Sequence, residues 1–298
     1  MGTPLPLALM QAPALATRDL SQFARDVEVF VKQRPAVRLL VYPELHLETP
    51  GLPADRPAPS ELAEPLGGAR DRRLAEIAGD LGVWLIPGTL YELGDDGRVY
   101  NTAPVYDPSG QRVANYRKIA PWRPYETSSP GTDFVVFDMA DYGRVGLSIC
   151  YDSWFPEISR HLAWLGADLI VNMVQTPTID RDQELVLVRA NAIANQVFVA
   201  SVNGAAPTAL GRSLLVDPEG RVRVQAQGAE DCVLTDVIDL AEAGRVRQFG
   251  TAGLNRVWEQ FQPGDVPLDL PLYGGKIDPA TWGAGRGAHL TGAAEGEG

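Results

Sequence analysis

Between residues 5 and 240, short apolar runs of strand character alternate with stretches whose apolar residues recur at helical spacing. This alternation constrains the fold most, because apolar sheet faces must be covered by helices or by a second sheet. The runs at 5–11, 37–42, 83–93, 143–149, 168–174 and 197–202 are rich in Leu, Ile and Val, as buried strands are. Residues 20–32 place Phe23, Val27, Phe30 and Val31 on one stripe, and 69–81, 155–165 and 183–194 repeat helical spacing. Asp95-Asp96-Gly97, Pro108-Ser109-Gly110 and Asp217-Pro218-Glu219-Gly220 supply turns between strands expected at 98–106, 113–119, 213–216, 222–226 and 232–238. The pattern predicts α/β or α+β layers over residues 1–240. An extension follows at 241–282, where Gly and Pro break the periodicity, and then a tail at 283–298 with the composition of disorder.

The formal net charge of -12 argues against nucleic acid as a partner, because phosphate binding needs clustered Lys and Arg. Only two cysteines occur, Cys150 and Cys232, and neither sits in a ligand-spaced cluster. A disulfide framework, a structural zinc and any metal cofactor are therefore not expected, and a reducing compartment fits the chain best. Residues 1–17 are apolar but lack the basic start of an export signal, and no apolar run reaches the ~20 residues of a membrane span. The expectation is a cytoplasmic, soluble protein with no membrane partner.

Three expected strand ends carry chemistry-bearing residues: Glu44 in YPELHL, Lys118 in NYRKIAPWRPYE and Cys150 in GLSICYDSWFPE. Singly, each has a plain reading, since free cysteine packs as a small hydrophobe and charged residues are mostly solvated. Together they are delivered by strand ends, where clefts form. Cys150 also precedes Phe155-Pro156-Glu157, an expected helix start, whose positive end is expected to lower the thiol pKa. Gly146-Leu147-Ser148-Ile149-Cys150 half-matches a serine nucleophile elbow but places Ser148 inside a strand. A thiol–imidazole pair could use His46, His161 or His289; these read as a surface loop, a packed helix and the tail respectively.

The three motifs in this order resemble those of the nitrilase, or carbon-nitrogen hydrolase, superfamily. The resemblance covers about residues 5–240 and includes Asn101, Tyr116-Arg117-Lys118 and the Arg189–Asn195 stretch. It implies a four-layer α-β-β-α sandwich of the nitrilase type, with subunits pairing through helices. It also implies that Cys150 attacks an amide carbonyl, Glu44 takes its proton, and Lys118 with the Tyr151 backbone N–H stabilises the oxyanion. Lys118-Ile119-Ala120-Pro121-Trp122 followed by Glu126 resembles the aliphatic-amidase and formamidase branch, where a second glutamate holds the lysine or positions substrate amine and water. By composition alone, Glu126 reads equally as an exposed loop carboxylate.

Tyr151-Asp152 after the cysteine resembles amidases and carbamoylases more than true nitrilases, while Trp154-Phe155-Pro156-Glu157 also occurs in carbamoyl-amine hydrolases. The favoured reading is an amidase releasing ammonia from small aliphatic amides through an acyl-enzyme, with no cofactor. An N-carbamoyl-amine or N-carbamoyl-amino-acid hydrolase acting on ureido substrates, a nitrilase, and a catalytically silent binding protein are the alternatives. Trp122, Tyr125, Tyr151, Trp154 and Gln175 flank these loops and are candidate substrate-binding residues, with core packing as their other reading. The segment after Leu240 resembles the branch's carboxyl extension, which implies a homodimer or larger homo-oligomer.

Overall fold

In this computed structural model, residues 2–15, 20–48, 57–278, 283 and 285 are described. Apart from Gly283 and Gly285, the tail at 283–298 and its His289 lie outside them. The first half of the chain runs β1 (Leu5–Gln11), α1 (Leu20–Gln33), β2 (Leu39–Val41), α2 (Pro59–Leu62), α3 (Ala69–Leu81), β3 (Trp84–Ile86), β4 (Leu90–Leu93), β5 (Val99–Tyr106) and β6 (Arg112–Arg117). The second half runs β7 (Val136–Met139), β8 (Gly143–Ile149), α4 (Pro156–Trp164), β9 (Leu169–Val174), α5 (Arg181–Asn195), β10 (Phe198–Asn203), β11 (Leu214–Val216), β12 (Val222–Gln225), β13 (Cys232–Ile238), α6 (Ala241–Phe249), β14 (Leu268–Leu270) and β15 (Gly275–Ile277).

Side-chain alternation builds the layers. On β1, Leu5, Leu7 and Leu9 join one apolar cluster while Ala8 and Met10 join another. On β9, Leu169, Val171 and Met173 face the first cluster and Ile170 turns the other way. The first cluster is the seam between two sheets. One sheet is ordered β13-β1-β2-β3-β5-β4 with β6 also on β5, and the other β12-β11-β10-β9-β8-β7. Phe23, Val27 and Phe30 of α1 with Leu74 and Ile77 of α3 cover the outer face of the first sheet. Ile158 and Leu162 of α4 with Leu185, Val188 and Ala192 of α5 cover that of the second. The result is the four-layer α-β-β-α sandwich; the period-2 pattern of each strand serves two interfaces at once.

Each sheet contains a parallel run, β1-β2-β3 in one and β8-β9-β10 in the other. In parallel sheets, loops at carboxyl ends form the crevices. β2 leads into Glu44, β8 into Cys150 and β9 into Gln175 and Thr176.

Three expectations change. The strand expected over 83–93 is two strands, because Pro87 has no N–H for the ladder and Gly88 turns at φ +89. A Cβ on Gly88 would stand 2.0 Å from the Pro43 carbonyl oxygen, so this glycine lets the Glu44 loop pack against the break. β7, four residues long, carried too short a pattern to be read. The helix α6 lies beyond the expected break at Leu240; only Ala243 and Val246 of it are buried, which leaves little periodicity in the sequence. The chain past α6 still packs on the body: Trp258 is buried against α4 and α5 residues, and its indole N–H donates to Asn195 O at 3.2 Å. Further on, Val266 and Leu272 are 88% and 84% exposed. No helix among the described residues is long and apolar enough to cross a membrane.

Candidate active site

Cys150 follows the last residue of β8, where the chain reverses into a 3-10 turn over Cys150–Trp154. Its φ is +49, a left-handed value that disfavours a residue with a Cβ by about 1–2 kcal/mol. The surroundings hold it there. Asp152, fully buried, accepts from the Ile149 N–H at 2.9 Å, the Ala120 N–H at 2.8 Å and the Tyr116 hydroxyl at 2.6 Å. Ser153 Oγ donates to Cys150 O at 2.9 Å. Asp152 thus ties the cysteine turn to the loop that carries Lys118. Ser148 stays inside β8, its hydroxyl on Asn172 Oδ1 at 3.3 Å, so the elbow belongs to the thiol.

Lys118 and Glu44 are buried and joined: Lys118 Nζ lies 3.0 Å from Glu44 Oε1 and 2.6 Å from Glu126 Oε1. Asn101 Nδ2 donates to the same Glu44 oxygen at 2.8 Å, and Gln175 Nε2 to the Glu44 carbonyl at 3.4 Å. Burial opposes the Lys118 ammonium, but Glu44, Cys150 and Glu126 together outweigh it and hold its pKa well above the lysine range. Burial raises the Glu126 pKa, Lys118 pulling it down and Glu44 pushing it up. Two carboxylates around one ammonium make this second glutamate part of the ion cluster, not an isolated loop carboxylate.

The thiol departs from expectation. Burial first, then Glu44, push the Cys150 pKa well above the cysteine range, with Lys118 only partly opposing them. The helix start that was to lower it, α4, begins at Pro156, and the helix dipole fades within a turn. A thiol pushed in this direction needs a base to react.

On its other side, Thr176 Oγ1 lies 3.8 Å from Cys150 Sγ and donates to Glu184 Oε1 at 2.8 Å. Glu184 Oε2 pairs with Arg181 Nη1 at 3.0 Å, and both residues are buried. Sequence reasoning missed Thr176, Arg181 and Glu184. Their signal was slight: a hydroxyl just after a buried strand, and two charges three apart on a helix face that the periodicity assigns to the interior.

The site opens into a pocket lined by Trp122, Glu126, Cys150, Tyr151, Gln175 and Thr176, and by residues of the 177–184 segment. Of the expected substrate-binding residues, Trp122, Tyr151 and Gln175 line it. Tyr125 does not: its ring packs on Trp122 at 4.5 Å while the residue is 71% exposed. Trp154 does not either; it leans on Tyr151 from behind, ring centroids 5.8 Å apart. His46 is buried rather than on a surface loop, its ring tilted against Tyr42 and Phe23, and burial drops its pKa to about 4. His161 is exposed and stacks flat on Phe134 at 4.5 Å. Neither lines the pocket. Among the described residues no group of three or more His, Cys, Asp or Glu is placed to hold a metal ion.

A thiol at a pocket floor, backed by a carboxylate and a fixed ammonium, is an arrangement suited to acyl transfer. Comparison with known proteins bears on its chemistry. Residues 7–248 match the carbon-nitrogen hydrolase family. The omega-amidase NIT2 of Homo sapiens is 36% identical over 208 residues, which span 63% of this chain and 73% of that protein. Nit3 of Saccharomyces cerevisiae, a member of branch 10 of the nitrilase superfamily, superposes with a TM-score of 0.73 at 27% identity, covering 82% of this chain and 93% of its own. A glutamate-to-glutamine mutant of the amidase from Nesterenkonia sp. AN1, with the acetamide moiety of fluoroacetamide added covalently at its active-site cysteine, superposes with a TM-score of 0.68 at 25% identity, covering 82% and 94%. The chain belongs to the carbon-nitrogen hydrolase family of the nitrilase superfamily, and is an amidase-type hydrolase of non-peptide carbon–nitrogen bonds.

Proposed function

We propose that the protein hydrolyses small aliphatic amides to carboxylic acid and ammonia through a thioester on Cys150, with Glu44 as base and Lys118 as oxyanion partner. The observation that carries this reading is the buried Lys118 ammonium held at 3.0 Å by Glu44 and 2.6 Å by Glu126 beside the thiol. As Cys150 Sγ attacks the carbonyl carbon, its proton passes to Glu44. The oxygen that gains charge is met by Lys118 and the Tyr151 N–H, which stabilise it only as the charge develops. Glu44 then gives the proton to the leaving nitrogen, the C–N bond breaks and ammonia departs. A water, deprotonated by Glu44, attacks the thioester; the acid leaves and the thiol is restored. Glu126 holds Lys118 aimed, its Oε1 2.6 Å from Nζ.

The test is ammonia release from a panel of short amides, with trapping of the acyl-enzyme by mass spectrometry. Adducts on Cys150 that carry the acyl group are expected. Unchanged turnover in Cys150→Ala would overturn the assignment, and carbon dioxide released with ammonia from ureido compounds would move it to the carbamoyl-hydrolase reading. On the same family reading, the exposed Val266 and Leu272 are proposed to be covered by a second copy of the chain; sedimentation as a monomer at micromolar concentration would overturn that.

A further inference from the structure

Four residues of the pocket lining, Thr176, Thr178, Asp180 and Glu184, present hydrogen-bond acceptors, while its side-chain donors belong to Trp122, Tyr151 and Gln175. Thr176 has one hydroxyl proton, and it is committed to Glu184 Oε1 at 2.8 Å. Thr178 likewise donates its proton to Asp180 Oδ1. Each hydroxyl is therefore left with lone pairs alone to offer a ligand, and the carboxylates behind them are acceptors only. Glu184, Asp180 and both threonines line the pocket.

No Lys, Arg or His stands among the described residues lining it. Arg181, the cation paired with Glu184 of this wall, is buried and engaged through all three of its nitrogens. Its Nη1 reaches Glu184 Oε2 at 3.0 Å and Ser201 Oγ at 3.2 Å, Nε reaches Gly211 O at 3.2 Å, and Nη2 reaches Arg212 O at 3.0 Å. Lys118 is held on the opposite side between Glu44 and Glu126. An acyl group ending in a carboxylate and turned to this side would thus be desolvated against Asp180 and Glu184 with no cation and no threonine proton to receive it, which is costly. One ending in an ammonium, or in another donor, would meet two acceptors and a net negative wall.

We propose that the Thr176–Glu184 and Thr178–Asp180 pairs make this pocket select amides whose acyl chain carries a cationic or donor terminus, and reject those ending in a carboxylate. This rests on the amidase reading above and names its substrate class. Thr176 and Asp180 would be its specificity determinants.

The experiment measures binding and turnover separately, with 4-aminobutyramide, butyramide and succinamate as cationic, neutral and anionic amides of matched length. Calorimetry on Cys150→Ala should give affinities in that order, with the cation favoured over the anion by ~10-fold or more. In the same background, Asp180→Asn should shrink that ratio several-fold, whereas Asp180→Glu, which keeps the charge, should preserve it. Thr176→Val should weaken 4-aminobutyramide more than butyramide, so that the ratio between the two falls. Succinamate binding as tightly as butyramide, or a ratio unmoved by Asp180→Asn, overturns the proposal. Wild-type turnover distinguishes the two levels. Succinamate hydrolysed as fast as butyramide sinks the selectivity and keeps the amidase, while the expected binding order without any amide turnover does the reverse.

Discussion

Cys150 and Cys232 are both half-buried and both free, yet they sit in unlike company. Cys232 opens β13 opposite Gln11; burial raises its thiol pKa, and Asp231 and Glu230 add to the rise. Cys150 ends its strand at a positive φ, with a buried ion cluster on one side and the Thr176–Glu184–Arg181 chain on the other. Its thiol is pushed up as well. A lowered thiol pKa therefore marks neither cysteine. What separates them is an ammonium, fixed with its carboxylates beside one thiol and missing from the groups that act on the other, together with a pocket at that thiol's face.

Substitution of each cysteine tests this most strongly. Cys150→Ala should lower kcat/KM for a good amide on the order of 10⁴-fold or more, as loss of a covalent nucleophile does, while Cys232→Ala should stay within about 2-fold. Steady-state kinetics on both variants is the measurement, and equal losses would erase the distinction. Next come the partners of the thiol. Glu44→Gln and Lys118→Met should each cost on the order of 10³-fold in kcat. Lys118→Met should also destabilise the fold by about 3–5 kcal/mol, because it leaves Glu44 buried and Glu126 half-buried without their cation; chemical denaturation reads this.

The pH profile of iodoacetamide labelling at Cys150 sharpens the contrast further. Glu44 raises this pKa and Lys118 lowers it. Labelling should therefore climb only at alkaline pH in the wild type, shift to lower pH in Glu44→Gln and to higher pH in Lys118→Met. The Cys232 profile should stay in place in all three. A Glu44→Gln profile shifted upward would refute this account of the thiol. The smallest effect is expected from Ser153→Ala, which removes the 2.9 Å bond to the Cys150 carbonyl; about 1 kcal/mol of stability and a few-fold in kcat should be lost, by thermal melting and kinetics.

Much of the frame was legible because its signals are local. β1, α3 and β8 fall where periodicity puts them, since strands buried on both faces and a helix with one apolar stripe leave strong patterns, and the half-exposed β13 does so through its apolar alternation. α6 and β7 were not legible, one burying only Ala243 and Val246 and the other only four residues long. Glu44, Lys118 and Cys150 were found as ends of strands, and the structure brings them together with Glu126. Tyr125 and Trp154 were chosen by the same proximity in sequence, yet they stand outside the pocket, because a side chain's direction depends on the path of its loop.

The sequence by itself determined that this chain alternates strands with helices, that three reactive residue types end those strands, and that their order resembles one hydrolase family. Those facts lie in composition, period and neighbours along the chain. Only the tertiary structure decided which charges neutralise one another, that the Cys150 thiol is pushed up rather than down, and that Thr176, Glu184 and Arg181 form the far side of the site. Electrostatics and burial depend on groups tens of residues apart in sequence, and folding alone fixes the few ångströms between them.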